Sequence, residues 1–342
     1  LKTACVITSI FPPTPAVASF AEAAAFDAVL VVGDRKSPAS YPLDGVRFLP
    51  LSDQERLPWR IVADLPCNHY CRKMIGYLEA AAGGADLIFD TDDDNRLIEG
   101  LSGAVWQADC RQEIRPADEA ERFVNVYAHF TDQPIWPRGL PLDCLRPRAA
   151  ATPVTVPLAE PPPIGIWQGL ANGDPDVDAV YRLTCNAPCT FADRPAVALP
   201  AGIACPFNSQ NTAFVRDLLP LMYLPAFVTF RYTDILRSLV AQPILWAAGR
   251  RLCFTSATVF QDRNEHDYMK DFESEVPMYL TGRRAFEIAV AAVQATRSLG
   301  DNLWAVYAAL EQAGIVEGRE LALLESWLDD CRRIMPAATP AR

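Results

Sequence analysis

The feature that most constrains this chain is the alternation of short apolar runs with helical spacings over its first ninety residues. "ACVITSI", "AVLVVGD" and "DLIFD" are each too short for a helix and apolar throughout, as strands buried on both faces are. Between the first two lie the breaker "FPPTP" and an Ala-rich stretch that predicts a helix from Ala16 to Ala25. "GVRFLPL" follows as a third strand. Ser52 then stands as an N-cap, with Glu55 completing a capping box. In "HYCRKMIGYLEAAAGGA", Met74, Ile75, Leu78 and Ala81 fall on one helical face, and Gly83-Gly84 ends the helix. Strand, helix, strand, helix, strand predicts an α/β fold with a largely parallel, doubly wound sheet.

The rest of the chain reads less regularly. "RFVNVYAHF" is expected as a strand, residues 146–163 as a Pro- and Ala-rich linker, and "IGIWQGL" as a strand again. "AFVTF" is expected as a strand leading into a helix, and "RLCFTSATVF" as another strand. From Arg283 onward the pattern is helical, in "RRAFEIAVAAVQAT", "NLWAVYAALEQAG" and "ELALLESWLDDC". No internal repeat is visible.

Half of the 342 residues are apolar, ample for a core, and the net charge is -11. That balance argues against an extended nucleic-acid footprint, which needs a basic face. No apolar run approaches the length of a membrane span, and "LKTACVITSI" has no secretory pattern. The chain starts at Leu1, which fits a trimmed chain. Ten cysteines are scattered along it, and the pairs Cys67/Cys71 and Cys185/Cys189 are spaced too widely for a Cys-x-x-Cys zinc site. Reduced thiols and a cytoplasmic location are the expectation.

The chemistry concentrates in "LIFDTDDDN". A buried strand runs directly into Asp90, Asp92, Asp93 and Asp94. Like charges this close repel, so the run is either a solvated turn or a site for a cation. The carboxyl edge of an open α/β sheet is where such folds bind ligands. Manganese or magnesium takes one or two protein carboxylates and completes its shell with substrate phosphates. Arg72 and Lys73, near the start of the preceding helix, are either exposed charges or phosphate partners. Asp34, Arg35 and Lys36 follow the second strand, where a carboxylate can accept from a ribose or base. Asp234 is an N-cap or a general base. Asn208, Ser209, Gln210 and Asn211 form a polar cluster that lines a sugar pocket or a turn, and His266 is a loop histidine or a further metal ligand. No G-x-G-x-x-G, P-loop or G-x-S-x-G is present.

Taken in order, "VVGDRK", "NHYCRKMIGYLEAAAGGADLIFDTDDDN", "DPDVDAVYRLT", "NSQNTAF", "RYTDILRSL" and "FQDRNEHDYMKDFESE" resemble the glycosyltransferase domain of the STELLO family, from the first strand to about residue 280. A weaker likeness links them to the reversibly glycosylated polypeptides, the UDP-arabinopyranose mutases. Both resemblances imply the GT-A glycosyltransferase fold, with a C-terminal helical extension here. They imply a 1–280 glycosyltransferase domain (1–130 nucleotide-sugar half, 160–280 acceptor half) followed by a helical region, 281–342.

The implied activity is metal-dependent transfer of a sugar from a nucleotide-sugar, UDP-linked, to an unidentified acceptor. A nucleotide-sugar mutase or a catalytically silent nucleotide-sugar-binding partner are the alternatives. The implied metal set is Asp92, Asp94 and His266, holding Mn2+ or Mg2+. The donor set is Asp34, Arg35, Asn68, Arg72, Lys73, Asp92, Asp93, Asn208 and Asn211, and Asp234 is the catalytic residue on the acceptor side. No counterpart of the membrane anchor of the plant STELLO proteins is expected among these residues. Its Ala-, Arg- and Pro-rich composition points to a bacterial relative, and its C-terminal helices to homo-oligomer contacts.

Overall fold

The computed structural model describes residues 1–99, 106, 110–145, 152–262 and 267–335. Its strands are β1 (Thr3–Thr8), β2 (Ala28–Val32), β3 (Val46–Leu49), β4 (Leu87–Asp92), β5 (Asn95–Leu97), β6 (Gln112–Arg115), β7 (Val154–Pro157), β8 (Ile164–Gly173), β9 (Val197–Ala198), β10 (Asn211–Val215) and β11 (Arg251–Gln261). They form one sheet in the order β3-β2-β1-β4-β10-β8-β11-β9-β6-β7, with β5 paired to β11 off this path. Helices flank it, so the mixed α/β architecture is consistent with a GT-A-like fold.

The half predicted from alternation is the parallel half. β3, β2, β1 and β4 all run parallel, and Cys5, Val6 and Ile7 of β1 have no exposed surface. The helix Lys73–Ala82 crosses this layer at Gly76, where a Cβ would lie 2.4 Å from Val6 Cγ1 and 2.8 Å from Val32 Cγ2. Glycine is what lets helix and sheet approach this closely. Beyond β4 the sheet turns mixed: β10 is antiparallel to both β4 and β8, while β11 returns parallel to β8.

One consequence of these directions decides where the site is. β1, β2, β4, β8 and β11 all end at the same edge, and antiparallel β10 begins there. The loop ends of six strands therefore converge on one side of the sheet, which is the ligand edge of an open α/β fold.

Several local expectations are corrected. The first helix is shorter, Pro15–Ala21, capped by Thr14, whose hydroxyl accepts from Val17 N at 3.2 Å. Ser52 is not an N-cap, because the short helix Leu51–Gln54 starts one residue earlier behind Pro50. "RFVNVYAHF" is not a strand: Phe123 makes an isolated bridge to Ala204, and Tyr127–Phe130 is a helical turn buried on several sides. "AFVTF" finds no ladder partner and ends in the 3-10 turn Phe230–Tyr232 before the helix Thr233–Ala247. Part of the expected linker is strand β7, and residues 146–151 lie outside the described residues.

The C-terminal helical region begins earlier than Arg283, at Tyr268, and its first helix runs to Ala292 through Pro277. Residue 280 therefore falls inside a continuous helix. Two more helices follow, Leu299–Gln312 and Gly318–Ile334. The last is bound to the rest of the molecule by buried carboxylates. Glu320 accepts from Ala226 N (3.0 Å) and Phe227 N (2.9 Å), and Asp330 accepts from Arg60 N and Ile61 N, both at 2.9 Å. No described helix is long and apolar enough to cross a membrane.

Candidate functional site

A cavity of about 360 Å³ opens at the shared strand edge, large enough for a small ligand. Its wall takes Thr8 and Ser9 from the end of β1, Gly33 and Asp34 from β2, and Asp92, Asp93 and Asp94 from β4. Asp176 follows β8, Gln261 ends β11, and Ser209 and Gln210 precede β10. Asp234 and Arg231 enter from the start of the Thr233 helix.

The acidic run is a tight turn between β4 and β5, through which the chain leaves the parallel half and pairs with β11 (Gln261 opposite Asn95). The four aspartates have separate environments. Asp90 has no exposed surface and faces two buried cations, Lys73 Nζ at 2.9 Å and Arg237 Nη1 at 3.0 Å. It is a structural anion at the strand end. Lys73 also reaches Asp92 Oδ1 at 2.9 Å and the Thr91 carbonyl at 2.8 Å. Burial alone would lower the lysine pKa, but Asp90 and Asp92 outweigh it and raise it. Lys73 is thus a fixed positive charge beneath the turn, with no exposed surface of its own.

The Asp92 side chain is 41% exposed and lines the cavity. Its dense surroundings raise its pKa to about 6; Lys73 opposes the rise, and Asp94 adds to it. Burial also raises Asp93, against a hydrogen bond from Ser9. Asp94 Oδ2 accepts from Gln261 Nε2 at 3.2 Å, and the Gln261 carbonyl oxygen of the side chain accepts in turn from Gln210 Nε2. The main chain of the same turn is tied down by Thr14 Oγ1, which donates to the Asp93 carbonyl at 3.0 Å. Thr91 Oγ1 and Asn95 Nδ2 both donate to the Gln210 carbonyl, at 2.7 and 3.0 Å.

A hard divalent cation fits this donor set. Two carboxylates, Asp92 and Asp94, reach one cavity, hard oxygen donors of the kind such a cation takes. Among the described residues no group of three His, Cys, Asp or Glu side chains stands ready to hold a metal ion. Two carboxylates suffice for manganese or magnesium when substrate phosphates and water fill the remaining positions. His266 lies outside the described residues.

The other sequence-predicted residues divide. Asp34 lines the cavity, and its Oδ2 accepts from His69 N at 3.1 Å. Arg35 is exposed and off the cavity wall, where its neighbour Lys36 stands instead. Asn68 is in the wall and takes a left-handed backbone (φ 56°) that turns the chain toward Asp34. Arg72 reaches the wall but is only 3% exposed, with Nε and Nη2 both donating to Gln54 Oε1 (2.9 and 2.5 Å). Asn208 and Asn211 do not line the cavity. Asn208 Nδ2 donates to Asp176 Oδ2 at 2.9 Å, and Asn211 bridges Leu170 O and Thr258 inside the sheet.

Asp234 lines the cavity in the first turn of its helix, but both oxygens are engaged. Arg138 donates to Oδ1 at 3.1 Å and to Oδ2 at 3.0 Å, and Ser209 N donates to Oδ2 at 3.1 Å. Such a carboxylate suits holding a guanidinium in place better than taking a proton.

The cavity also contains residues the sequence reading passed over. Arg138 and Asp176 form a buried pair (Nε to Oδ1, 2.8 Å), and Phe230 is an aromatic at the mouth. Asp176 lies in "DPDVDAVYRLT" and Phe230 ends "AFVTF", stretches noted as a motif and as a strand without either residue standing out, and Arg138 lies in a segment without periodicity. The signal for Arg138 was one basic residue between breakers in "PRGLP", and that is too common a pattern to single out.

Comparison with known proteins adds a separate line. Residues 231–336, which take in Asp234, β11 and the C-terminal helices, match the family model of STELLO glycosyltransferases. The chain is similar to two Arabidopsis thaliana proteins named "Probable glycosyltransferase STELLO1" and "Probable glycosyltransferase STELLO2", each 29% identical over 317 residues, 88% of this chain. It spans 41% of the length of these relatives. The STELLO resemblance read from the motifs is borne out. Both relatives are plant proteins, and a bacterial origin finds no support in them.

Proposed function

From a chain whose residues 231–336 match the STELLO glycosyltransferases, we propose a metal-dependent glycosyltransferase that uses a nucleotide-sugar, UDP-linked in the first instance. The observation that carries this reading is the convergence of Asp92, Asp93 and Asp94 with Asp34 on one cavity at the ligand edge of the sheet. Asp92 and Asp94 would hold Mn2+ or Mg2+. When bound, the cation supplies Lewis-acid stabilisation to a departing diphosphate.

The chain's own residues divide the remaining work. Lys73 and Arg237 neutralise Asp90, so the strand end carries the turn without adding an unpaired charge of its own. Gln261 orients Asp94, as outer partners of metal ligands commonly do. Asp34, fixed by the His69 amide, faces the nucleoside end. Asp234 positions Arg138 on the acceptor side and is not assigned as a base.

The test is release of free UDP from a panel of UDP-sugars, with Mn2+ and with chelator. Manganese-dependent release from at least one UDP-sugar, about 100-fold slower in Asp94→Ala, is the expected outcome, of the order seen when an electrostatic stabiliser is removed. Release that is indifferent to chelator, or absent with every nucleotide-sugar, would overturn the reading.

A further inference from the structure

Among the described residues five cations are buried: Arg72, Lys73, Arg138, Arg182 and Arg237. Four of them sit against carboxylates. Lys73 and Arg237 meet Asp90 at 2.9 and 3.0 Å, Arg138 meets Asp176 at 2.8 Å, and Arg182 pairs with Asp174. This is what physics demands, because a charge taken out of water is costly unless an opposite charge goes with it. Arg72 is the exception. It is 3% exposed and lines the cavity, yet all its hydrogen bonds go to neutral oxygens. Nε and Nη2 donate to Gln54 Oε1 at 2.9 and 2.5 Å, and Nη1 donates to the Leu65 carbonyl at 3.3 Å. Among the described residues no carboxylate forms an ion pair with it.

Gln54 is what holds this charge in place. It has no exposed surface, and its Nε2 donates to the Gly33 and Leu49 carbonyls at 2.8 and 2.7 Å, behind the ends of β2 and β3. Two carbonyls on one side and a guanidinium on the other admit one orientation of the amide, with Oε1 toward Arg72. The hold is rigid and neutral. A carboxylate at this position would cancel the guanidinium charge, whereas an amide leaves it whole. A guanidinium carries five N–H donors, so one on each terminal nitrogen is left unused by the protein.

The place of the charge gives the ligand. Gln54 ties Arg72 to Gly33, the neighbour of Asp34 at the nucleoside end. Lys73, next in the chain, reaches Asp92 in the acidic turn. Arg72 thus joins the two parts of the wall that a nucleotide spans with its phosphates. We infer that Arg72 takes a phosphate oxygen of the bound nucleotide, that this contact needs no metal, and that Gln54 is the positioning residue that keeps the guanidinium unpaired for it. The phosphate supplies the missing counter-charge and accepts from the unused N–H groups. Lys73, expected beside Arg72 for the same task, is already paired with Asp90 and Asp92 and takes no part in it. The inference rests on the nucleotide-sugar reading and deepens it, since the phosphate is gripped by the protein as well as through a cation.

The test compares the Kd of uridine and of UMP by NMR titration in chelator, for wild type, Arg72→Met, Arg72→Gln and Gln54→Ala, with UDP plus Mn2+ as the reference. The wild type should bind UMP about tenfold tighter than uridine without metal, as a charge-assisted hydrogen bond gives. In Arg72→Met and Arg72→Gln that ratio falls to near one, while the Kd of uridine stays at its wild-type value. Arg72→Gln keeps a donor for Gln54 and separates loss of charge from loss of packing. Gln54→Ala lowers the ratio severalfold, and a ratio is unmoved by a loosening that weakens both ligands alike. A wild type that binds UMP no better than uridine in chelator, or a ratio that survives in both Arg72 variants, would overturn the inference. An unchanged ratio in Gln54→Ala would overturn the role of Gln54. Failure of the underlying reading looks different, because then UDP does not bind even with Mn2+.

Discussion

At the scale of single residues, the acidic turn is a graded set rather than four equal charges. Asp90 is paired below the floor, Asp92 is shared between Lys73 and the cavity, and Asp94 is aimed by Gln261. The sequence made the cluster legible, because a buried strand that ends in consecutive aspartates is unusual. It could not separate the roles, because those depend on partners more than a hundred residues away, Arg237 and Gln261. Two predictions belong here. Gln261→Ala leaves both ligands in place but lets Asp94 turn, so Mn2+ affinity, read by electron paramagnetic resonance without substrate, falls about 10- to 100-fold with little change in Tm. An unchanged Mn2+ affinity would remove Gln261 from the site. The second concerns pH. Asp92 has a folded pKa of about 6, above the ordinary value near 4. Ionising it therefore costs folding stability as pH rises between those values, and a cation that binds only the ionised form restores it. The increase in Tm caused by Mn2+ should be full at pH 7.5 and shrink as pH falls through about 6. An equal increase at pH 5 and 7.5 would show that Asp92 is not a ligand.

At the scale of elements, the parallel half was legible and much of the rest was not, for a physical reason. β1, β2 and β4 are buried on both faces, so their apolar runs stand out from flanking breakers. "AFVTF" has equal β propensity but pairs with no strand among the described residues, and it bends into the 3-10 turn that starts at its last residue, Phe230. Propensity reports what a segment tolerates, and pairing decides what it becomes. Spacing placed the helix face of Lys73–Ala82 correctly, but it did not show that Gly76 is the contact point. Gly76→Ala must push Val6 or Val32 aside in a packed layer. Overpacking of this kind costs about 1–3 kcal/mol, measurable by urea unfolding. A variant as stable as the wild type would mean that the helix can lift from the sheet at no cost. Since this helix also carries Lys73, a lift would carry that cation away from Asp92, and Mn2+ affinity should fall with stability.

At the scale of the whole molecule, the C-terminal helices read in sequence as an appended region, yet they are bound into the α/β layer. Glu320 and Asp330 have no exposed surface, and they satisfy backbone amides of segments 94 and 270 residues earlier. Trp327, also fully buried, donates to the Pro220 carbonyl at 3.0 Å. A chain ending before Leu299 would expose the core around Tyr223 and leave those amides without partners. It should lack a cooperative thermal transition by circular dichroism. A truncated protein with wild-type Tm would instead establish 299–342 as a separate unit. The central claim spans all three scales: that a nucleotide-sugar and a divalent cation meet at the acidic turn. The most direct test is a thermal-shift panel of nucleotide-sugars, with and without Mn2+, on wild type and Asp94→Ala. The account predicts a manganese-dependent rise in Tm with at least one UDP-sugar, lost in Asp94→Ala. A rise that does not need manganese, or no rise with any nucleotide-sugar, would contradict it.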